Sequence, residues 1–254
     1  MAPQAASPIH RLPLQPLTAV AVLKNVNKPE LAAANLTRLV EVDPALSAMV
    51  LRMANSPLFG FSGRVSSARQ ATVLLGTKTV GSLAVGGTAS LVFGTAGPTA
   101  TPGYWAHAIT VACASSTVAR FQGVNPEEAF TAGLLHSAGT LSVAEDDPDF
   151  DPGDHCQAER SADLLRSWGL PTALVRAVRL HGASRDGVTD GLALAVLIGH
   201  ALAPAIDDTK PLGQLTPRDA FTSVGASSGR FDEVISSIRR DVESTVRFLE
   251  IEAA

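Results

Sequence analysis

Asp43-Pro-Ala-Leu-Ser-Ala-Met-Val-Leu-Arg-Met-Ala54 is the stretch on which the fold reading turns. Leu46, Met49, Val50 and Met53 recur at three- and four-residue steps, which places them on one face of an amphipathic helix. Asp43 suits the N-cap, because its carboxylate can accept backbone N–H groups. Pro44 fits the first helical position, where no N–H is needed. The same device recurs at Asn125-Pro126, with Glu127 and Glu128 at the positive end of the helix dipole. Thr216-Pro-Arg-Asp219 reads as a capping-box-like start with Asp in place of Glu. Gly76, Gly123, Gly169 and Gly182 fall where helices would stop, and Phe231–Ile251 is one more long helical pattern. Strand alternation is not sustained anywhere, so the expected fold is all-α with about ten to thirteen helices.

Composition agrees with a packed helical protein. The chain has 254 residues, 46% apolar and 17% charged, with a formal net charge of −4. That is too apolar and too weakly charged for a disordered chain. Two cysteines, Cys113 and Cys156, exclude a disulfide scaffold and a multi-cysteine zinc site. No apolar run is long enough to span a membrane, and Met1–Pro8 lacks a signal-peptide pattern, so a soluble cytoplasmic protein is expected. Charge is uneven: the first hundred residues hold eight Lys+Arg against three Asp+Glu, the remainder twelve against twenty-one. Seven of those eight, Arg11, Lys24, Arg38, Arg52, Arg64, Arg69 and Lys78, are scattered singly without interleaved aromatics, which argues against nucleic acid as a partner.

Two segments punctuate the chain. Gly94–Gly103 reads as a loop between helical groups, and Glu145–Asp154, with six acidic residues in ten, as a solvated loop. The acidic segment lacks the spacing of an EF-hand. Asn55-Ser56-Pro57 reads as a helix stop, in which short polar side chains bond nearby backbone. Gly81–Gly87 lacks the lysine of a phosphate loop and suits close helix packing. Cys113 is read as a buried thiol; Cys156 follows His155, but adjacent helical residues point apart and make a poor nucleophile pair.

Chemistry, if any, rests on six histidines: His10, His107, His136, His155, His181 and His200. Imidazole is both a common metal ligand and a general acid–base near neutral pH. A hydrolytic metal centre made of imidazoles usually also needs carboxylates to bridge ions and hold an activated water. Ala132-Gly-Leu-Leu-His136-Ser137-Ala-Gly-Thr140 resembles the signature turn of the HD superfamily, with serine where the metal-binding aspartate stands. Around it, Leu12–Pro16, Asp43–Leu46, Leu51–Gly60, Ser67–Gly76, Tyr104–His107, Glu127–His136, Trp168–Pro171 and Leu180-His181 occur in the order of the HDOD family. HDOD domains are HD-related output domains of bacterial signalling proteins, and the resemblance covers roughly residues 12–205.

The resemblance implies a two-lobed helical HDOD fold with a degenerate HD-like bundle. Its parts are an N-terminal helical lobe over residues 10–95, an HD-like lobe over 100–210, and C-terminal helices over 213–254. It places His107 and His136 at the superfamily's first two histidines, Ser137 at the aspartate and Gln157 at a further histidine. His181 is retained but followed by Gly182, and His200 stands about where the last aspartate would be. With no carboxylate at a ligand position, the expectation is no metal, no cofactor and no catalysis. The implied function is signalling through a protein partner, with no receiver, kinase or cyclase segment in the chain. A nucleotide or small-anion sensor in the emptied pocket and a metal-dependent phosphohydrolase remain as alternatives. Between histidines satisfied in a core and histidines meeting at an ion, residue types alone leave both open.

Overall fold

A computed structural model describes residues 14–25, 33–61, 63–92, 103–142, 154–207 and 216–253. Within them all regular structure is helical: α1 (Pro16–Asn25), α2 (Ala33–Val42), α3 (Pro44–Ala54), α4 (Ala68–Val92), α5 (Tyr104–Gln122) and α6 (Pro126–Leu135), then α7 (Asp154–Ser167), α8 (Thr172–Arg179), α9 (Gly191–Ile206), α10 (Pro217–Thr222) and α11 (Phe231–Ala253). Most of the Gly94–Gly103 and Glu145–Asp154 segments, His10, and the side chains of His155 and Cys156 lie outside the described residues.

Local chemistry accounts for the helix ends. Asp43 accepts the Leu46 N–H at 3.0 Å, and Asn125 accepts from Glu127 and Glu128. At α10 the Thr216 hydroxyl caps the Asp219 N–H at 3.2 Å. The hydroxyl also donates to the Asp219 carboxylate at 2.6 Å, so the acid meets the capping side chain rather than its backbone N–H. Gly123 ends α5 with φ 69, a conformation that costs a side chain dearly and glycine little. At Gly76 (φ 75, ψ 157) the chain kinks and turns back into helix, so the stop read there is a bend within α4. Asn55 uses its whole amide: its nitrogen donates to the Leu51 and Val65 carbonyls at 2.9 and 2.8 Å, and its oxygen accepts from the Arg64 and Val65 N–H groups. The Asn55 segment is a clamp on the α3–α4 connection, as the residues suggested. In the glycine-rich part of α4, Gly87 lies against Met49 and Leu14, while Gly81 and Gly86 face open space.

One continuous apolar core runs from Leu14 to Leu249. Helices α2 and α3 pack on α4; α5 packs on α6 and α9; α8 joins α7 to α9; and α11 crosses back to touch α1, α5 and α9. Helix α9 is buried along most of its length, which explains why its sequence is apolar on all sides. The close approach of α5 to its neighbours is set at Ser115. A Cβ on Gly133 of α6 would stand 2.9 Å from the Ser115 hydroxyl, and one on Gly199 of α9 only 2.3 Å from it. Arg239 of α11 donates to the Ala205 and Ile206 carbonyls at 3.1 and 3.2 Å, closing the C-terminal end of α9. Among the described residues no helix is long and apolar enough to cross a membrane.

Candidate functional site: a buried histidine cluster

That packing brings four imidazoles together. His107 comes from the first turn of α5, His136 from the end of α6, His181 from the turn after α8 and His200 from α9. Ring centroids are 5.2 Å apart for His107–His136, 5.7 Å for His107–His200 and 5.3 Å for His136–His200. His181 stands 4.9 Å from both His136 and His200. His136, His181 and His200 are buried, at 1%, 3% and 8% exposure, while His107 opens partly to solvent. The resemblance allows three of the retained histidines to meet; the fold brings all four rings together.

Their hydrogen bonds point one way. His136 Nδ1 donates to the Gly133 carbonyl and His181 Nδ1 to the Val178 carbonyl, each at 2.7 Å. A carbonyl only accepts, so in both rings Nδ1 carries the proton and Nε2 presents its lone pair. Burial holds the His136 and His200 imidazoles well below the ordinary histidine range, and the neighbouring rings push the same way. Both are neutral at pH 7. Pro204, four residues beyond His200, has no N–H to give the His200 carbonyl and leaves a gap in the α9 ladder beside the cluster.

Asp207, which the sequence reading did not single out, brings a carboxylate beside the cluster without joining its convergent nitrogens. It ends α9, accepts from the Thr110 hydroxyl at 2.8 Å and stands 3.6 Å from His107 Nδ1. It follows His200 by seven residues, two helical turns along nearly the same face, and that spacing was the available signal. Asp207 buttresses the cluster from outside and does not join the three rings whose ligating nitrogens converge. Ser137 is buried, and its hydroxyl lacks a hydrogen-bond partner of standard geometry among the described residues. It lies close enough to the buried Tyr104 phenol to influence its ionisation. Gln157 is partly buried on α7 and offers an amide where the resemblance has an imidazole. Cys113 is buried and its thiol is pushed up to about 12, an inert group.

The donor set does not fit a hydrolytic centre. A two-ion centre of the HD type needs carboxylates to bridge its ions and an open position for an activated water. Here imidazole nitrogens alone converge, those of His107, His136 and His200, and Ser137 brings no charge. Restoring the carboxylate with Ser137→Asp is therefore expected to leave phosphodiester and phosphomonoester hydrolysis at background; turnover gained by that change alone would show that the remaining ligands suffice.

The fold has known counterparts. The structure superposes on the MmoQ response regulator of Methylococcus capsulatus with a TM-score of 0.70 at 25% identity, covering 91% of this chain and 98% of that one. A second structure of a fragment of that regulator gives 0.65 at 24% identity, covering 90% and 99%. A virulence factor from Campylobacter jejuni shares the fold alone, with a TM-score of 0.55 at 14% identity over 97% and 93% of the two chains. No curated protein matches the chain. A family model for the HDOD domain matches residues 12–150, more than half of the chain, and takes in His107, His136 and Ser137. Beyond residue 150 the likeness rests on the fold. The chain belongs to the HDOD domain family.

Proposed function

We propose that the chain is a non-catalytic, cytoplasmic signalling module that works by contact with a protein partner. Supporting this reading, a response regulator shares its fold over nearly the full length of both chains, and the histidine cluster lacks a hydrolytic donor set. The observation that carries it is a polar seam away from that cluster. A cleft of about 330 Å³ is lined by Arg38 and Glu41 of α2, Arg69 of α4, Arg120 of α5, Glu127 of α6 and Thr245 of α11. Arg69 holds Glu41 at 2.7 and 3.0 Å and reaches Glu127 at 3.3 Å, so one guanidinium ties α2 and α4 to α6. Arg38 lies over the Phe248 ring at 4.2 Å. The Arg69–Glu127 pair is about half-exposed on both sides, and ion pairs of this kind contribute little, about 0–1 kcal/mol each, so it can be exchanged for contacts with a partner at low cost. Burial disfavours the charged form of His136 and His200, so these two rings offer a small anion little charge, which counts against the sensor alternative.

Two sets of substitutions test the reading, each checked for folding by circular dichroism. Arg69→Glu with Val73→Glu alters the seam and the exposed apolar residue one turn along α4, itself 73% exposed. His107→Gln, His136→Gln and His181→Gln alter the cluster. Affinity capture from cell extract is expected to fail with the first set and persist with the second. Capture lost from the histidine set alone would move the function into the pocket.

A further inference from the structure

We propose that the cluster of His107, His136, His181 and His200 binds a single divalent ion of the late first transition series, zinc foremost, in a closed all-imidazole site. The ligating nitrogens of His107, His136 and His200 already lie within 4.8 Å of one another. Tetrahedral ligands about 2.0–2.1 Å from zinc stand about 3.4 Å apart, so modest ring rotations close the site. His181, 4.9 Å from the His136 and His200 rings, is placed to complete four ligands.

The surroundings are those of a held ligand set. His136 and His181 are each oriented by an Nδ1–H bond to a carbonyl, which turns Nε2 toward the ion. His107 has the Asp207 carboxylate behind it, and Thr110 fixes that carboxylate in turn. Carbonyl or carboxylate support of a ligating ring is the usual means of fixing its tautomer and raising its basicity. Imidazole donors without carboxylates select zinc, nickel, cobalt or copper over magnesium, calcium or manganese. Ser137 and Gln157 count against a hydrolytic ion and have no bearing on this one. Four imidazoles leave no open position, so the ion binds without generating a nucleophile. It ties α5, α6, α9 and the turn after α8 at one point. The partly exposed His107 provides the route in.

The test uses the full chain, stripped with a chelator and titrated with Zn²⁺ or Co²⁺. We expect one zinc per chain after gel filtration, a Kd below about 1 µM, and visible absorption of tetrahedral cobalt. With zinc at about a hundred times Kd, the melting temperature should rise by about 5–10 °C. His136→Gln and His200→Gln should each weaken binding at least 100-fold. Asp207→Asn, which leaves the rings in place, should weaken it about 10-fold. A His10→Gln, His155→Gln double variant should bind as the parent does. Wild-type protein with no zinc held more tightly than about 10 µM would overturn the proposal, as would a folded His136→Gln variant of unchanged affinity or binding lost in the His10, His155 control. None of these readouts involves a protein partner, so the result stands apart from the capture experiment.

Discussion

Gly199→Ala should destabilise the protein by about 2–3 kcal/mol, although alanine is the better helix former. A Cβ at this position would stand 2.3 Å from the Ser115 hydroxyl, 2.6 Å from its backbone nitrogen and 2.8 Å from its Cα. A hydroxyl can rotate away, but backbone atoms cannot, so α5 and α9 must move apart. Overpacking of this sort costs about 1–3 kcal/mol, occasionally more, and the alanine preference of about 1 kcal/mol offsets only part of a severe clash. Set against a total of about 5–15 kcal/mol for a typical protein, the loss is large. Urea unfolding measures it as a lower midpoint. Gly86→Ala is the matched control: also within a helix, it has nothing within 4 Å of the added carbon and should gain up to about 1 kcal/mol. A Gly199→Ala protein as stable as its parent would mean that the two helices are not held at this separation. Since Gly199 adjoins His200, the same variant should bind zinc more weakly.

Asp43→Ala should cost about 3 kcal/mol. The Asp43 carboxylate is fully buried and accepts the Gln15 N–H at 2.7 Å and the Leu46 N–H at 3.0 Å. Alanine removes an N-cap worth about 1 kcal/mol and strands a second buried donor at about 1–3 kcal/mol. Asn keeps one oxygen and should cost less. The pH dependence separates charge from geometry. Burial raises the Asp43 pKa from 3.8 to about 6, its hydrogen bonds offsetting only part of the desolvation. Between those values the native state takes up a proton that the unfolded chain does not, so this group favours folding more as pH falls and loses that contribution as pH rises through about 6. Wild type should therefore gain about 1 kcal/mol on the Asn variant between pH 7 and pH 5. A difference that stays flat across this range would show that the carboxylate is not desolvated.

Features legible in the sequence are those whose causes lie within one or two helical turns. The caps at Asp43, Asn125 and Thr216 join residues two or three apart, and the Asn55 clamp closes over ten, so composition and spacing carried them. Gly76 was legible as a break, yet its φ lets α4 resume beyond it, and whether the chain stops or bends depends on what packs on either side. His107, His136, His181 and His200 were found by their motifs, but motif order says nothing of distance. Whether four rings meet depends on α5 lying within backbone contact of α6 and α9, and that rests on glycines at 133 and 199 facing one serine at 115. Asp207 shares a helix face with His200, but what it supports was not legible, because its partners His107 and Thr110 stand about a hundred residues earlier in the chain. Arg69, in sequence one scattered cation, becomes the junction of three helices only when Glu41 and Glu127 are folded onto it. Local hydrogen bonding and hydrophobic period thus determined that the chain is helical and where most helices begin. Tertiary packing alone decided which side chains of distant helices face one another, because that depends on how closely whole helices can approach.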